Sequence, residues 1–207
     1  MDNNEMWLNW IIQLQAIAQN GLTYVKDIYD RERYEQLRDI SAQMMAHISD
    51  VPLEKVRGLF CDEKGYQTPK IDTRAAIIEN GKILLVQEKN GRWSMPGGWC
   101  DVHISVKENT VKEVLEEAGL TVEAERLVAV QDRSRHNTPP SAWGICKFFV
   151  LCRRISGQFQ ENSETVCSGW FSPDSLPEAL AVEKNTAEQI ALCFEAYNST
   201  YWETRFE

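Results

Sequence analysis

One stretch constrains this chain more than any other: Gly97 to Leu120, reading GGWCDVHISVKENTVKEVLEEAGL. It runs from a glycine pair through a short loop into a helix. Ser105 and Glu108 have the S-x-x-E spacing of a capping box, so the helix is expected to begin there. Gly119 is placed to end it as the C′ residue. At ~100° per residue, Val111, Val114, Leu115 and Ala118 fall in one arc, the expected buried side. Glu113, Glu116 and Glu117 fall on the opposite side, with Glu113 and Glu117 one turn apart. Like charges at this spacing destabilise a bare helix by a few tenths of a kcal/mol each. Divalent cations remove that penalty, and Mg²⁺ and Mn²⁺ prefer oxygen ligands. Gly97 and Gly98 lack a Cβ, so their backbone can bend sharply and approach a ligand closely. An acidic cluster alone usually means a solvated helix face. The glycine pair, the cap, the amphipathic helix and the terminal glycine in one register point instead to a platform holding metal over a phosphate group.

Composition narrows the classes that remain. The chain has 207 residues, 43% hydrophobic and 26% charged, which suits one or two globular domains. No apolar run is long enough for a transmembrane helix. The start, Asp2, Asn3, Asn4 and Glu5, lacks the basic n-region of a secretory signal. The net charge of -9 disfavours general nucleic-acid binding, which needs a basic footprint. It leaves room for a phosphorylated small molecule whose charge is neutralised locally by metal. Six cysteines are scattered without a C-x-x-C pair, so zinc is not expected. They are expected to be buried free thiols, and the chain to be cytoplasmic.

Along the chain, Trp7, Trp10, Ile11, Leu14, Ile17 and Ala18 predict an amphipathic helix over 4–20, closed by Asn20-Gly21. A second helical segment holds Leu22, Val25 and Ile28. Asp30 is the expected cap of a long helix carrying Tyr34, Leu37, Ile40, Met44, Met45 and Ile48. A short helix reaches Phe60, and residues 1–66 form a helical N-terminal domain. From 67 to 207 the pattern is mixed. Strands are expected at Ile71–Glu79, Lys82–Lys89, Thr121–Gln131, Trp143–Arg153 and Val166–Phe171, with hairpin turns at Asn80-Gly81 and Asn90-Gly91. Residues 132–142 form an irregular loop. Thr186 and Gln189 cap a last helix.

The central stretch resembles the signature of the Nudix hydrolases, G-x5-E-x7-R-E-U-x-E-E-x-G-U with U apolar. Gly98, Glu113, Val114, Glu116, Glu117, Gly119 and Leu120 match it. Ile104 stands where the first glutamate is expected, and Lys112 stands for the arginine. Lys112 keeps the charge but loses the bidentate fork. The resemblance implies an α+β fold, a mixed sheet sandwiched between helices, preceded here by a small all-helical domain. That extension resembles one on a bacterial subgroup associated with CDP-choline or ADP-ribose pyrophosphatases. The implied reaction is metal-dependent hydrolysis of the diphosphate in a nucleoside diphosphate linked to another moiety. CDP-choline, giving CMP and phosphocholine, is the first expectation and ADP-ribose the alternative. A non-catalytic nucleotide sensor is a third, motivated by Ile104.

By the same resemblance Glu113, Glu116 and Glu117 ligate Mg²⁺ or Mn²⁺, with a backbone carbonyl offered by Gly97. Glu164, in the loop ENSET, is the expected further catalytic acid, with Glu161 the weaker choice. Arg133, Arg135 and His136, in the 132–142 loop, are candidates for phosphate or base contacts, and Trp99 for stacking on a base. The aromatic residues of the first domain suit either a cage for a quaternary ammonium or packing against a second copy. A homodimer is expected.

Overall fold

The structure is a computed structural model that describes residues 3–49 and 51–207. The start of the chain, Asp2 included, lies outside the described residues. The chain forms two compact units. The first comprises residues up to Pro69 together with Pro140–Trp143, and the second comprises Lys70–Pro139 and Gly144–Glu207.

The first unit is helical: α1 (Asn3–Tyr24), α2 (Ile28–Ser49) and α3 (Leu53–Phe60). Its core gathers Ile11, Ala42, Met45, Val56 and Phe60, with Ala142 packed against them. Two expectations are corrected here. Asn20-Gly21 does not close α1, which continues to Tyr24. The Tyr34 ring covers the glycine so closely that a Cβ on Gly21 would stand 2.4 Å from it. Gly21 is therefore the point where α1 and α2 approach, and Val25 N–H still donates to its carbonyl at 2.9 Å. Likewise the cap of α2 is Asp27, whose carboxylate accepts from Asp30 N–H at 3.0 Å. Asp30 instead pairs with Arg33. The buried stripe of α2 is Ser41, Ala42 and Met45, while Ile40 and Ile48 stay exposed.

The second unit is built on strands β1 (Lys70–Glu79), β2 (Lys82–Glu88), β3 (Trp93–Ser94), β4 (Leu120–Asp132), β5 (Ile145–Gly157), β6 (Thr165–Phe171) and β7 (Arg205–Phe206). Among the described residues they form one sheet in the order β3-β2-β1-β5-β4-β7, with β6 pairing β2. Strand β1 runs parallel to β5 and antiparallel to β2, so the sheet is mixed. β1 is buried almost end to end because both its faces are covered. Ala75 and Ile77 join the core beneath α4 (Val106–Ala118). Ala76 and Ile78 join the core beneath α6 (Ala187–Asn198). This is the sandwich the resemblance implies. Strand β5 begins two residues later than expected, at Ile145, and Trp143 falls in the first unit. The expected irregular loop after β4 opens instead with a helical turn, α5 (Arg133–His136). The Asp132 carboxylate caps it by accepting from Ser134 N–H. All six thiols are free, but only Cys152 and Cys193 are buried. The other four are half-buried, which corrects the expectation that all were interior.

Candidate active site

Two capping devices fix α4 in place. At its start the Ser105 hydroxyl accepts from Glu108 N–H, and the Glu108 carboxylate accepts from Ser105 N–H at 2.8 Å. Gly119 ends the helix in the left-handed conformation at φ 65°. The Asn109 amide donates to the Thr73 hydroxyl at 2.9 Å, pinning the first turn to β1.

The Pro96–Gly98 turn lies on β1 through two backbone bonds, Ala75 N–H to Pro96 O and Thr73 N–H to Gly98 O. The packing explains the glycines. A Cβ on Gly97, at φ +144°, would stand 1.9 Å from the Thr73 carbonyl oxygen. On Gly98 it would meet the Glu113 carboxylate at 2.9 Å. Gly97 N–H donates to Glu117 Oε2 at 2.9 Å. Among the described residues the Gly97 carbonyl has no backbone donor, unlike that of Gly98.

The buried face of α4 differs from the expectation. Leu115 is exposed, whereas Glu113 and Glu117 are buried along with Val114 and Ala118. The acids face the glycine turn rather than open solvent. Burial pushes the Glu117 carboxyl up from 4.5 to about 7, against the opposing influence of Arg74 and the Gly97 bond. Burial also raises Glu113, where the Lys112 charge opposes the rise and the charges of Glu116 and Glu164 add to it. Glu116 is exposed and pairs with Lys112 at 3.0 Å. Lys112 also lies 3.6 Å from Glu113 and 3.6 Å from Asp101, spanning the acids as a single cation.

Glu164 stands in the loop before β6. Asn162 and Thr165 both donate to the Glu117 carbonyl, tying the loop before β6 to the end of α4. Glu164 and Glu117 line the same cleft of about 350 Å³, with Glu88, Lys89, Asn90 and Lys184. Glu161 is exposed and does not line this cleft.

The other candidates fare differently. Arg133 is buried, donating to the carbonyls of Glu183 and Pro139. The α5 turn folds its guanidinium inward onto these carbonyls. One nitrogen, Nη1, remains buried and unpartnered. Arg135 is exposed on the same turn. The His136 ring bonds Glu207 at 2.7 Å, so a neighbour already occupies it. Trp99 is half exposed beside β1, bridged to Asp72 through the backbone. Neither His136 nor Arg135 lines the cleft that holds Glu117.

Sequence reasoning missed the buried charges beneath the turn. Asp72, Arg74 and Lys147 are all buried. Arg74 grips Asp72 at 2.6 Å and donates to the Met95 carbonyl, and Lys147 bonds Asp72 at 2.5 Å. Burial alone would raise the Asp72 carboxyl, but Arg74 and Lys147 hold it below its usual range. Burial lowers Lys147 to about 8 despite that partner. Arg74 also feels the charges of Glu117 and Glu113, so it supports both acids from below. The signal was present in IDTRAAII, where an acid and a base two residues apart interrupt an otherwise apolar strand.

The donor set suits a hard divalent cation in its chemistry: carboxylates at i, i+3 and i+4 of one helix, a bare carbonyl and a further acid across the cleft. In the arrangement described, no three acid, histidine or cysteine side chains already converge on a single point among the described residues. Lys112 stands among them instead.

Comparison with known proteins agrees with this architecture. Residues 69–193 match the model of the NUDIX domain. Residues 5–60 match the UDP-X-like, N-terminal oligomerisation domain. A Bacillus subtilis (strain 168) protein named "Putative ADP-ribose pyrophosphatase YjhB" is 43% identical over 190 residues, covering 91% of each chain. An ADP-ribose pyrophosphatase structure from Streptococcus suis is 61% identical, covering 68% of this chain and all of its own, at a TM-score of 0.64. A UDP-X diphosphatase structure is 36% identical over 98% of both chains, at a TM-score of 0.63. The glycine turn, the capped acidic helix, the helix-flanked mixed sheet and the matches over both units agree: this chain belongs to the Nudix hydrolases and carries the UDP-X-like helical domain before its catalytic domain.

Proposed function

We propose that this chain is a Mg²⁺- or Mn²⁺-dependent pyrophosphatase that splits ADP-ribose or a closely related nucleoside diphosphate sugar into two phosphate monoesters. The observation that carries the reaction type is the burial of Glu113 and Glu117 against the Gly97–Gly98 turn, with Glu164 on the same cleft as Glu117. ADP-ribose is placed ahead of CDP-choline because two extensively similar proteins bear the ADP-ribose pyrophosphatase name. Their names support the choice, and the assay below decides it.

Glu113, Glu116, Glu117 and the Gly97 carbonyl would hold the cation. When bound, it draws charge from the diphosphate oxygens and acidifies a coordinated water. The chain's own groups do the rest. Gly97 N–H fixes one oxygen of Glu117, so that carboxylate keeps a single orientation. Arg74 offsets the buried negative charge. Lys89 and Lys184 line the cleft and offer positive charge to the diphosphate. Glu164 takes the proton as water attacks phosphorus. The bridging P–O bond breaks and its electron pair leaves on the departing phosphate. Trp99, half exposed beside the turn, is the candidate surface for the base. The helical unit joins two copies and helps choose the substrate.

The test is product release from ADP-ribose, UDP-glucose and CDP-choline with Mg²⁺ or Mn²⁺, for wild type and Glu117→Gln. ADP-ribose is expected to turn over fastest, and the variant to lose at least about 100-fold. Faster cleavage of CDP-choline would overturn the substrate order. Absence of turnover on all three by wild type would favour a nucleotide sensor, the reading that Ile104 and the Lys112 contacts would then support.

A further inference from the structure

Between β6 and α6 the chain returns to the glycine turn from outside the signature. Trp93 N–H donates to the Ala179 carbonyl and Ala181 N–H donates to the Trp93 carbonyl, both at 2.8 Å. The amides of Lys184 and Asn185 then both donate to the Ala181 carbonyl, at 2.8 and 2.9 Å, just before the Thr186 cap of α6. This backbone carries Asn185 to the turn, where its Oδ1 accepts from Met95 N–H at 2.8 Å. We propose that Asn185 is a positioning residue for the cation site: it holds Met95, and through it Gly97 and Glu117, in the geometry that receives the ion. The inference rests on the catalytic reading above.

Asn185 and Met95 are both 0% exposed. Asn185 Nδ2 has no hydrogen-bond partner, so Oδ1 alone fixes the side-chain amide. Burying an amide whose nitrogen goes unpaired is costly, and the bond to Met95 is what the structure gains for it. Removing Oδ1 would leave the Met95 N–H buried and without an acceptor.

The turn is held group by group. The Met95 carbonyl accepts from Arg74 Nη1 at 3.2 Å. The Pro96 carbonyl accepts from Ala75 N–H at 2.8 Å, and proline has no N–H to donate. Met95 N–H is therefore the last amide that can be tied before Gly97 N–H, which donates to Glu117 Oε2. Planar peptides and the fixed φ of Pro96 leave little slack between these two amides. If Met95 N–H turns to seek another acceptor, the motion passes to Gly97. The Gly97 N–H then leaves Glu117 Oε2, and the Gly97 carbonyl offered to the cation moves with it. Groups that orient the ligands of a metal matter nearly as much as the ligands. Asn185 acts in this way through the backbone, without touching the ion or the substrate.

The experiment measures amide hydrogen exchange by NMR in EDTA, and Mn²⁺ binding by electron paramagnetic resonance, on the full chain. Wild type, Asn185→Leu and Asn137→Ala are compared below their melting temperatures. Leucine is close to asparagine in shape and removes the acceptor; Asn185→Ala replaces it if leucine does not pack. Asn137 donates to the Val182 carbonyl at 2.7 Å and to Gln189, so its variant loosens the same segment without touching Met95. Gly97 N–H is expected to exchange slowly in wild type and at least about tenfold faster in the Asn185 variant. The Mn²⁺ dissociation constant should rise about tenfold or more in that variant. Asn137→Ala should leave both near their wild-type values. Fast Gly97 exchange in wild type overturns the proposal. Unchanged Mn²⁺ affinity in a folded Asn185 variant overturns the role of Asn185 alone. Equal losses in Asn137→Ala reduce the effect to a loosened segment and also overturn it. Wild type that binds no Mn²⁺ fails the catalytic reading, and this inference with it.

Discussion

At the residue scale the dominant fact is a carboxylate buried where the fold offers only partial compensation. Glu117 titrates near 7 in the folded chain against an ordinary 4.5, chiefly because of burial. A raised folded pKa gives stability that is fully present below about 4.5 and is lost as pH rises through about 7. In metal-free protein, Glu117→Gln is therefore expected to be more stable than wild type at pH 8, on the order of 2–3 kcal/mol, and nearly equal at pH 4.5. Urea melts in EDTA at the two pH values check this. Adding Mn²⁺ should stabilise wild type by about 2.7 kcal/mol at a hundred times its dissociation constant, and the variant far less. Equal metal response in both would remove Glu117 from the ligand set. The buried Asp72 makes the opposite kind of prediction. Asp72→Asn leaves Arg74 and Lys147 buried without their counter-charge, so a loss of about 3–5 kcal/mol in thermal or urea unfolding is expected. The identities of Glu113, Glu116 and Glu117 were legible in the sequence because spacing fixes which helical residues are neighbours. The burial of Glu113 and Glu117 was not, since the same spacing serves a solvated face. Only the glycine turn packed over them made the difference.

At the element scale, local chemistry proved a good guide wherever it was self-contained. Both capping boxes, Ser105 with Glu108 and Thr186 with Gln189, form as their spacing requires. Ile104, immediately before the cap, contributes no carboxylate, so the Glu108 bonds carry the start of α4. Ser105→Ala is expected to cost about 1 kcal/mol in urea unfolding. A change near zero would mean that tertiary packing alone holds the helix start. Element boundaries failed where a distant partner intervened. Asn20-Gly21 reads as a helix stop, but Tyr34 packs on that glycine and Asn20 accepts from Gln67 N–H at 2.9 Å. Arg133 reads as a loop cation, but α5 turns it inward onto backbone carbonyls.

At the scale of the whole molecule, α1 of the helical unit leaves an apolar stripe uncovered. Trp7, Trp10 and Ile17 are each 41% or more exposed, and the two indoles meet edge to face at 5.4 Å. Their spacing places them on one side of α1. The match to an oligomerisation domain supports the homodimer proposed above. Trp10→Glu is expected to shift the mass measured by light scattering from dimer toward monomer, because it puts a charge into a desolvated contact. An unchanged dimer would place the interface elsewhere. No described helix is long and apolar enough to cross a membrane.

By itself the sequence determined what is local or periodic: the capped α4, its glycine terminus, the acids at i, i+3 and i+4, the hairpin turns and the change from helical to mixed character along the chain. These follow from hydrogen bonds and sterics within a few residues. Tertiary structure alone decided that Gly97 lies against Thr73, that Glu117 is buried and raised, that Asp72, Arg74 and Lys147 form a charged floor beneath the turn, and that Glu164 shares a cleft with Glu117. Each of these depends on residues far apart in sequence being brought together and shielded from water. The Gly97–Leu120 stretch supplies the acids, and the fold supplies the low-dielectric setting that gives them their chemistry.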